Sequence, residues 1–210
     1  MRWPMTWGRP EAERAETAFQ APVRRRAAVW VFWGSGWHHS DLWEAPRLAE
    51  TQDLLARWGD LVERWSAQVP PDAVLWRLPG LYVFWWAPHE DGLTRTLYHW
   101  LALHKGQVPA MQGRPRLEFR VGAAVGDVWC LEGQGGLVEA WGPATEAAAG
   151  LARRAPVGTV WVERSYYEAV YTYLPGRSRP PVPVPGYREA LPVYQMEWGL
   201  PGRYLLQPPP

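Results

Sequence analysis

The stretch Phe119–Val170 constrains the fold more than any other part of this 210-residue chain, because it reads as an unbroken series of strand, hairpin, helix, strand and helix. Phe119–Ala123 and Val125–Trp129 are two apolar runs interrupted only by Gly122 and Gly126. Gly133, Gly135 and Gly136 then turn the chain back into a third run, Leu137–Trp141, since a glycine cluster between apolar runs marks a reversal. Gly142-Pro143 ends that run and opens a helix, because proline suits the first helical position, where its missing N–H would have had no partner. Val157–Glu163 is a short strand of the buried type. Ser165-Tyr166-Tyr167-Glu168 has the serine-x-x-glutamate spacing of a capping box, so another helix is predicted to start there.

The flanking sequence completes a second pattern. Arg24-Arg25-Arg26 leads into Ala27–Trp33, a continuous apolar run expected to be a central strand buried on both faces, with the basic triplet at its solvated entrance. Leu48–Gln68 is predicted to be a helix with Leu55, Trp58, Val62 and Trp65 on one face. Ala73–Arg77 and Leu81–Trp86 read as a hairpin around Pro79-Gly80, a pair suited to a type II turn. A helix is expected over Asp91–Gln107, with Leu93, Leu97, Trp100, Leu101 and His104 on one face. Pro175–Pro185 reads as a proline-rich connection, and Tyr187–Met196 as a last hairpin and edge strand. The order strand-helix-strand-strand-helix-strand implies an α+β fold with a ferredoxin-like βαββαβ core: a mixed, mainly antiparallel sheet with helices packed on it. We expect a poorly ordered arm over residues 1–22, one domain over 23–198 and a disordered proline-rich tail over 199–210.

Composition narrows the function classes. A formal charge of +1 supplies no field to steer nucleic acid or an anionic membrane. Cys130 is the single cysteine, which suits a reducing cytoplasm, and the opening residues lack the apolar core of a signal peptide. No apolar run approaches the ~20 residues that span a bilayer. Lys105 is the lone lysine, and Ile and Asn are absent, a bias expected of a GC-rich bacterial genome and compatible with a hot habitat. The 16 Trp fall mostly on strands and helical stripes, which points to core or dimer packing.

Small constellations carry little chemistry. His38-His39 with Asp41 lacks a third metal ligand fixed by spacing, and His99 and His104 do not share a helix face. Cys130, between Trp129 and Leu131, reads as a buried thiol. Gly133–Gly136 lies between strands and is a turn, not a phosphate cradle. No metal or cofactor site is expected from them.

The pattern Gly122, Gly126, Asp127, Glu139, Gly142, Val160, Val162 and Ser165 resembles the second half of the class III adenylate/guanylate cyclase domain, and the resemblance extends over about residues 24 to 198. In that family two aspartates hold two divalent ions that activate the ribose hydroxyl and neutralise the triphosphate. An asparagine and an arginine orient the ribose and stabilise the transition state, and a lysine and an aspartate read the base. The resemblance places the metal aspartates at Trp33 and Pro79, the asparagine at Glu146, the arginine at Gly150, the lysine at Leu75 and the base-reading aspartate at Glu139. Only Glu139 keeps a comparable polar group. Trp and Pro offer no oxygen ligand to a hard cation, and Gly150 cannot stabilise developing charge.

The resemblance therefore implies a catalytically inactive cyclase-homology protein, acting in signalling by dimerisation or by binding a partner or small ligand, with Glu139 and Leu75 as its candidate ligand-binding residues. The expected partner is a second copy or another cyclase-like chain. Packing is expected on the cleft side and the helix Pro143–Arg154, where Ala147, Ala148, Ala149 and Gly150 would admit a close backbone. One alternative is a cyclase whose site a partner subunit completes. Another is single-stranded nucleic-acid binding on an aromatic sheet face, which the near-zero charge argues against.

Overall fold

The computed structural model describes residues 21–34, 56, 59, 60, 62–77, 80–110, 119–133 and 136–196, with backbone alone at 76, 102–110 and 119. The strands are β1 (Val23–Gly34), β2 (Ala73–Arg77), β3 (Gly80–Trp86), β4 (Phe119–Gly133), β5 (Gly136–Trp141), β6 (Val160–Glu163), β7 (Gly176–Val182) and β8 (Leu191–Met196). The helices are α1, described at 62–68, α2 (Glu90–Ala110), α3 (Pro143–Arg154) and α4 (Arg164–Val170). They build one sheet in the order β2-β3-β1-β4-β6-β8-β7, with β5 folded back on β4. Neighbours from β2 to β4 are antiparallel, which is the ferredoxin-like βαββαβ arrangement. The parallel pair of β4 with β6 results from the crossover through α3.

β1 is central because every residue from Ala27 to Phe32 is apolar and buried, so both of its faces need cover. Its even positions, Ala28, Trp30 and Phe32, join Val62 and Trp65 of α1, Leu93, Leu97 and Trp100 of α2, and Tyr166 of α4 in one core. Its odd positions, Ala27, Val29 and Val31, join Tyr82, Phe84 and the alanines of α3 in a second core on the opposite face. The tryptophans account for much of the first core: Trp65 lies 5.2 Å from Trp30 and 5.5 Å from Trp100, in tilted and edge-on contacts. The Tyr166 hydroxyl accepts from Trp30 Nε1 (3.1 Å) and donates to Leu93 O (3.2 Å), so this fully buried phenol is satisfied and ties β1, α2 and α4 together.

Several expectations change on folding. β4 is one strand of fifteen residues, not two runs broken at glycine. Gly122 is required there for proximity, because an added Cβ would stand 2.1 Å from Ala148 O and 2.5 Å from Ala152 N of α3. Ser165 is not a cap: α4 begins at Arg164, and Glu163 is its N-cap, accepting from Ser165 N (2.7 Å) and Tyr166 N (2.8 Å). The carboxylate also receives Val125 N at 3.2 Å, which explains why an acidic residue took the place of the serine. The segment read as a connection contains β7, the proline-bearing edge strand, where a missing N–H costs no ladder bond. β8, expected at the edge, lies between β6 and β7. The basic triplet is engaged by β4 carboxylates, Arg24 by Asp127 and Arg25 by Glu132 at 2.7 Å. The arm over 1–20, the His38-His39-Asp41 group, Pro79 and the tail from 197 onward lie outside the described residues. Among the described residues no helix is long and apolar enough to cross a membrane.

Candidate functional site: the cleft at the end of β1

Trp33, next to the last residue of β1, stands opposite Gly80 of β3 and Arg120 of β4. Trp33 continues the odd-numbered side of β1 and so faces α3. Leu75 and Tyr82, directly opposite each other on β2 and β3, belong to the same face. Of the residues to which the resemblance assigns family roles, Trp33 and Leu75 lie on the α3-side face of the sheet and Glu146 and Gly150 lie on α3 itself.

Glu146 is exposed, and Trp33, Leu75, Glu139 and Gly150 are committed within the chain. Trp33 is half-buried against the α3-side core, and the Arg153 guanidinium carbon lies 5.8 Å from its ring centroid, a cation–π geometry that caps the indole. Arg120 donates to the Arg153 carbonyl at 3.1 Å, which fixes the last turn of α3 against β4. Leu75 is half-buried apolar packing. Glu139 forms an ion pair with Arg77 and accepts from Ala140 N at 2.8 Å, so the one retained polar group at a base-reading position already holds a cation. The Arg77 guanidinium also lies 5.7 Å from the Tyr82 ring centroid. Burial pushes the Tyr82 phenol above its usual value, Arg77 and Arg153 pull it back, and Glu146 raises it further.

Gly150 decides the geometry most sharply. It is buried beneath Val184, and even a methyl group at 150 would come within 2.9 Å of Val184 Cγ2. Val184 belongs to a small cluster with Leu151, Val182 and Val193. The same segment reaches the start of α3, where the Tyr187 hydroxyl donates to Pro143 O at 2.7 Å. The stretch between β7 and β8 therefore lies along α3 and covers Gly150, the residue at which the resemblance expects the family's arginine. Ala147, Ala148, Ala149 and Gly150 are all buried inside this chain, under β4 on one side and Val184 on another. This corrects the expectation that they offer a partner a close approach: the helix uses its small residues to sit on its own sheet.

The residues present do not fit a pair of divalent cations. Trp33 offers no oxygen, and among the described residues no group of three or more His, Cys, Asp or Glu is placed to hold a metal ion. Cys130 is buried beneath Arg25 and Glu132, and burial pushes its thiol up, which leaves it protonated packing. The residues that sequence reasoning missed are Arg77, Arg153 and Val184. Val184 had a signal, the spacing of Val182 and Val184 among prolines, which is the alternation of a packed edge.

Neither a family model nor a curated protein matches this sequence. Solved structures do match it. The adenylyl cyclase CyaB from P. aeruginosa superposes with a TM-score of 0.69 at 16% identity, over 85% of this chain and 96% of that one. An adenylate/guanylate cyclase/hydrolase from Silicibacter pomeroyi gives 0.69 at 18% identity, over 84% and 98%. The guanylyl cyclase Cya2 gives 0.65 at 14%, over 84% and 94%. The fold is that of the class III adenylate/guanylate cyclase catalytic domain, and at these identities the likeness is one of fold.

Proposed function

We propose that this chain is a pseudo-cyclase: a cyclase-fold protein that makes no cyclic nucleotide and acts in signalling by binding another protein, either a second copy or a cyclase-like partner chain. The observation that carries the reading is Gly150 packed beneath Val184, with Trp33 capped by Arg153 at the neighbouring strand end. Metal-dependent phosphoryl chemistry needs carboxylate oxygens and an oriented cation that follows the developing charge. Here the metal position on β1 is an indole, and the arginine position is sealed by the chain's own segment. A scaffold kept in this form is useful for its surface.

The test is incubation of the purified protein with ATP or GTP and Mn²⁺, alone and with any co-purifying chain. No cyclic product is expected, and cyclic AMP or GMP above background would overturn the reading. Sedimentation equilibrium near ~10 μM, where a specific interface of ~1,600 Å² is commonly populated, decides the self-association form. Because α3's small residues are internal, a dimer contact is expected through side chains still exposed on this domain, such as Trp129 and Trp141, which face each other across β4 and β5.

A further inference from the structure

A second site lies at the opposite end of the sheet from the cleft. Where β3 gives way to α2, a cavity of about 200 Å³ opens between the end of α1, the start of β2 and the first turns of α2. Val69, Leu93 and Thr96 form its inner walls, and Trp85, Asp72 and His89 are its polar or aromatic groups. Trp85 is fixed there by its edge-on contacts with Trp30 (6.3 Å) and Trp65 (5.2 Å) and by donation from its Nε1 to Pro70 O at 3.2 Å. Asp72 is held from the other side, with one carboxylate oxygen accepting Trp86 N at 2.7 Å. Just beyond Trp86 the chain turns at Ala87, which has a φ of 46°, a conformation rare for a residue with a side chain. Such strain is kept where the surroundings fix it, and it gathers at ligand sites.

The cavity lining carries a single carboxylate, while Arg26, whose carbonyl accepts from Ala87 N, and Arg95 on α2 stand on the elements beside it. Asp72 is in the wall, Glu90 and Asp91 occupy the adjoining first turn of α2, and neither Lys nor Arg lines the space. Arg25, which lies 5.3 Å from the Trp86 ring centroid, is bound to Glu132 at 2.7 Å. The positive end of α2 is not free for an anion: His89 Nδ1 accepts Gly92 N at 2.9 Å, and the two acidic residues offset the helix charge. A carboxylate with one oxygen uncommitted, an indole and apolar walls are the elements that recognise an ammonium group on a short apolar arm.

We propose that this cavity binds a small organic cation, an alkylammonium whose charged head pairs with Asp72 and whose hydrocarbon arm lies against Trp85 and Leu93. The volume sits below the ~300–1,000 Å³ of drug-sized pockets, so the ligand has only a few carbon atoms. The site is independent of the cleft and of the pseudo-cyclase reading.

The experiment is saturation-transfer NMR and calorimetry on the full chain with isopentylammonium, alongside its neutral isostere isopentanol. Saturable binding in the low millimolar range is expected for the amine, with the alcohol ~2–5-fold weaker, since Asp72 is exposed at the mouth of the cavity and a solvent-exposed charged pair contributes only that much. Asp72→Asn keeps an oxygen for Trp86 N but removes the charge. It should weaken the amine ~2–5-fold and leave the alcohol unchanged. Val69→Phe, which fills the cavity and leaves the Asp72 carboxylate unsubstituted, should abolish both and serves if the Asp72 variant unfolds. Absence of saturable binding to ~10 mM amine, equal binding of amine and alcohol, or amine binding that survives Val69→Phe would each overturn the proposal.

Discussion

Gly122→Ala and Gly126→Ala place one methyl group at two glycines of the same strand, and the structure assigns them opposite outcomes. At Gly122 the new Cβ meets Ala148 O at 2.1 Å, Ala152 N at 2.5 Å and Leu151 Cβ at 3.0 Å, whereas ordinary contact begins at 3.4 Å. Two of these neighbours are backbone of α3, so no rotamer change relieves the clash and the helix must lift from β4. Lifting it parts Ala147, Ala148 and Ala152 from the β1 and β4 residues beneath them. Overpacking commonly costs ~1–3 kcal/mol, and a rigid backbone neighbour puts this case at the upper end or beyond, about 3–5 kcal/mol. At Gly126 the new methyl meets Ala144 Cβ at 3.5 Å, an ordinary contact. The gain from restricting the unfolded chain, ~0.4–1 kcal/mol, is then felt without penalty. Urea unfolding followed by tryptophan fluorescence reads both values through the midpoint at constant slope. For a chain of this size the Gly122 variant should melt roughly 6–20 °C lower, at ~2–4 °C per kcal/mol. If Gly122→Ala lies within 1 kcal/mol of Gly126→Ala, the close seating of α3 on β4 is refuted.

Gly150→Ala should be near neutral or destabilising by up to ~1 kcal/mol, because the helix-propensity gain of ~1 kcal/mol is opposed by the contact with Val184 at 2.9 Å. In a Val184→Ala background the same change should stabilise by ~1 kcal/mol, and equal effects in the two backgrounds would show that Val184 does not cover residue 150. Tyr166→Phe should cost ~1–3 kcal/mol in chemical unfolding, because the buried Trp30 Nε1 loses its acceptor; an unchanged midpoint argues against that bond. Burial pushes the phenols of Tyr82, Tyr166 and Tyr187 above the usual value of 10.0. Since the folded values are raised, their contribution to stability is complete below about pH 10 and is lost as the pH rises beyond it. Phenolate absorbance should therefore show part of the nine tyrosines ionising only together with loss of circular dichroism, and a single smooth titration near pH 10 with the fold intact would contradict this.

Local sequence determined much of the architecture, for reasons that act within a few residues. The apolar run Ala27–Phe32 had to be a doubly covered strand, since no face of it tolerates water. Pro143 after Gly142 had to open a helix, and the order of strands and helices left few ways to build the sheet. That position 33 offers no oxygen ligand was equally plain, because it is a matter of residue type. What the sequence could not supply were distances between segments far apart along the chain. It does not distinguish Gly122 from Gly126, because only the seating of α3 decides which one has a carbonyl above it. It gave Ser165 the form of a cap, but Glu163 won the role because its carboxylate also reaches Val125 N across to β4. Sequence offered Glu139 as a candidate ligand-binding group, and only the approach of β5 to β2 gave it Arg77 as a partner. The prolines around Val184 read as a linker, while packing made that segment the cover of Gly150, since a glycine on a helix leaves a hollow that a branched side chain from an adjacent edge can fill.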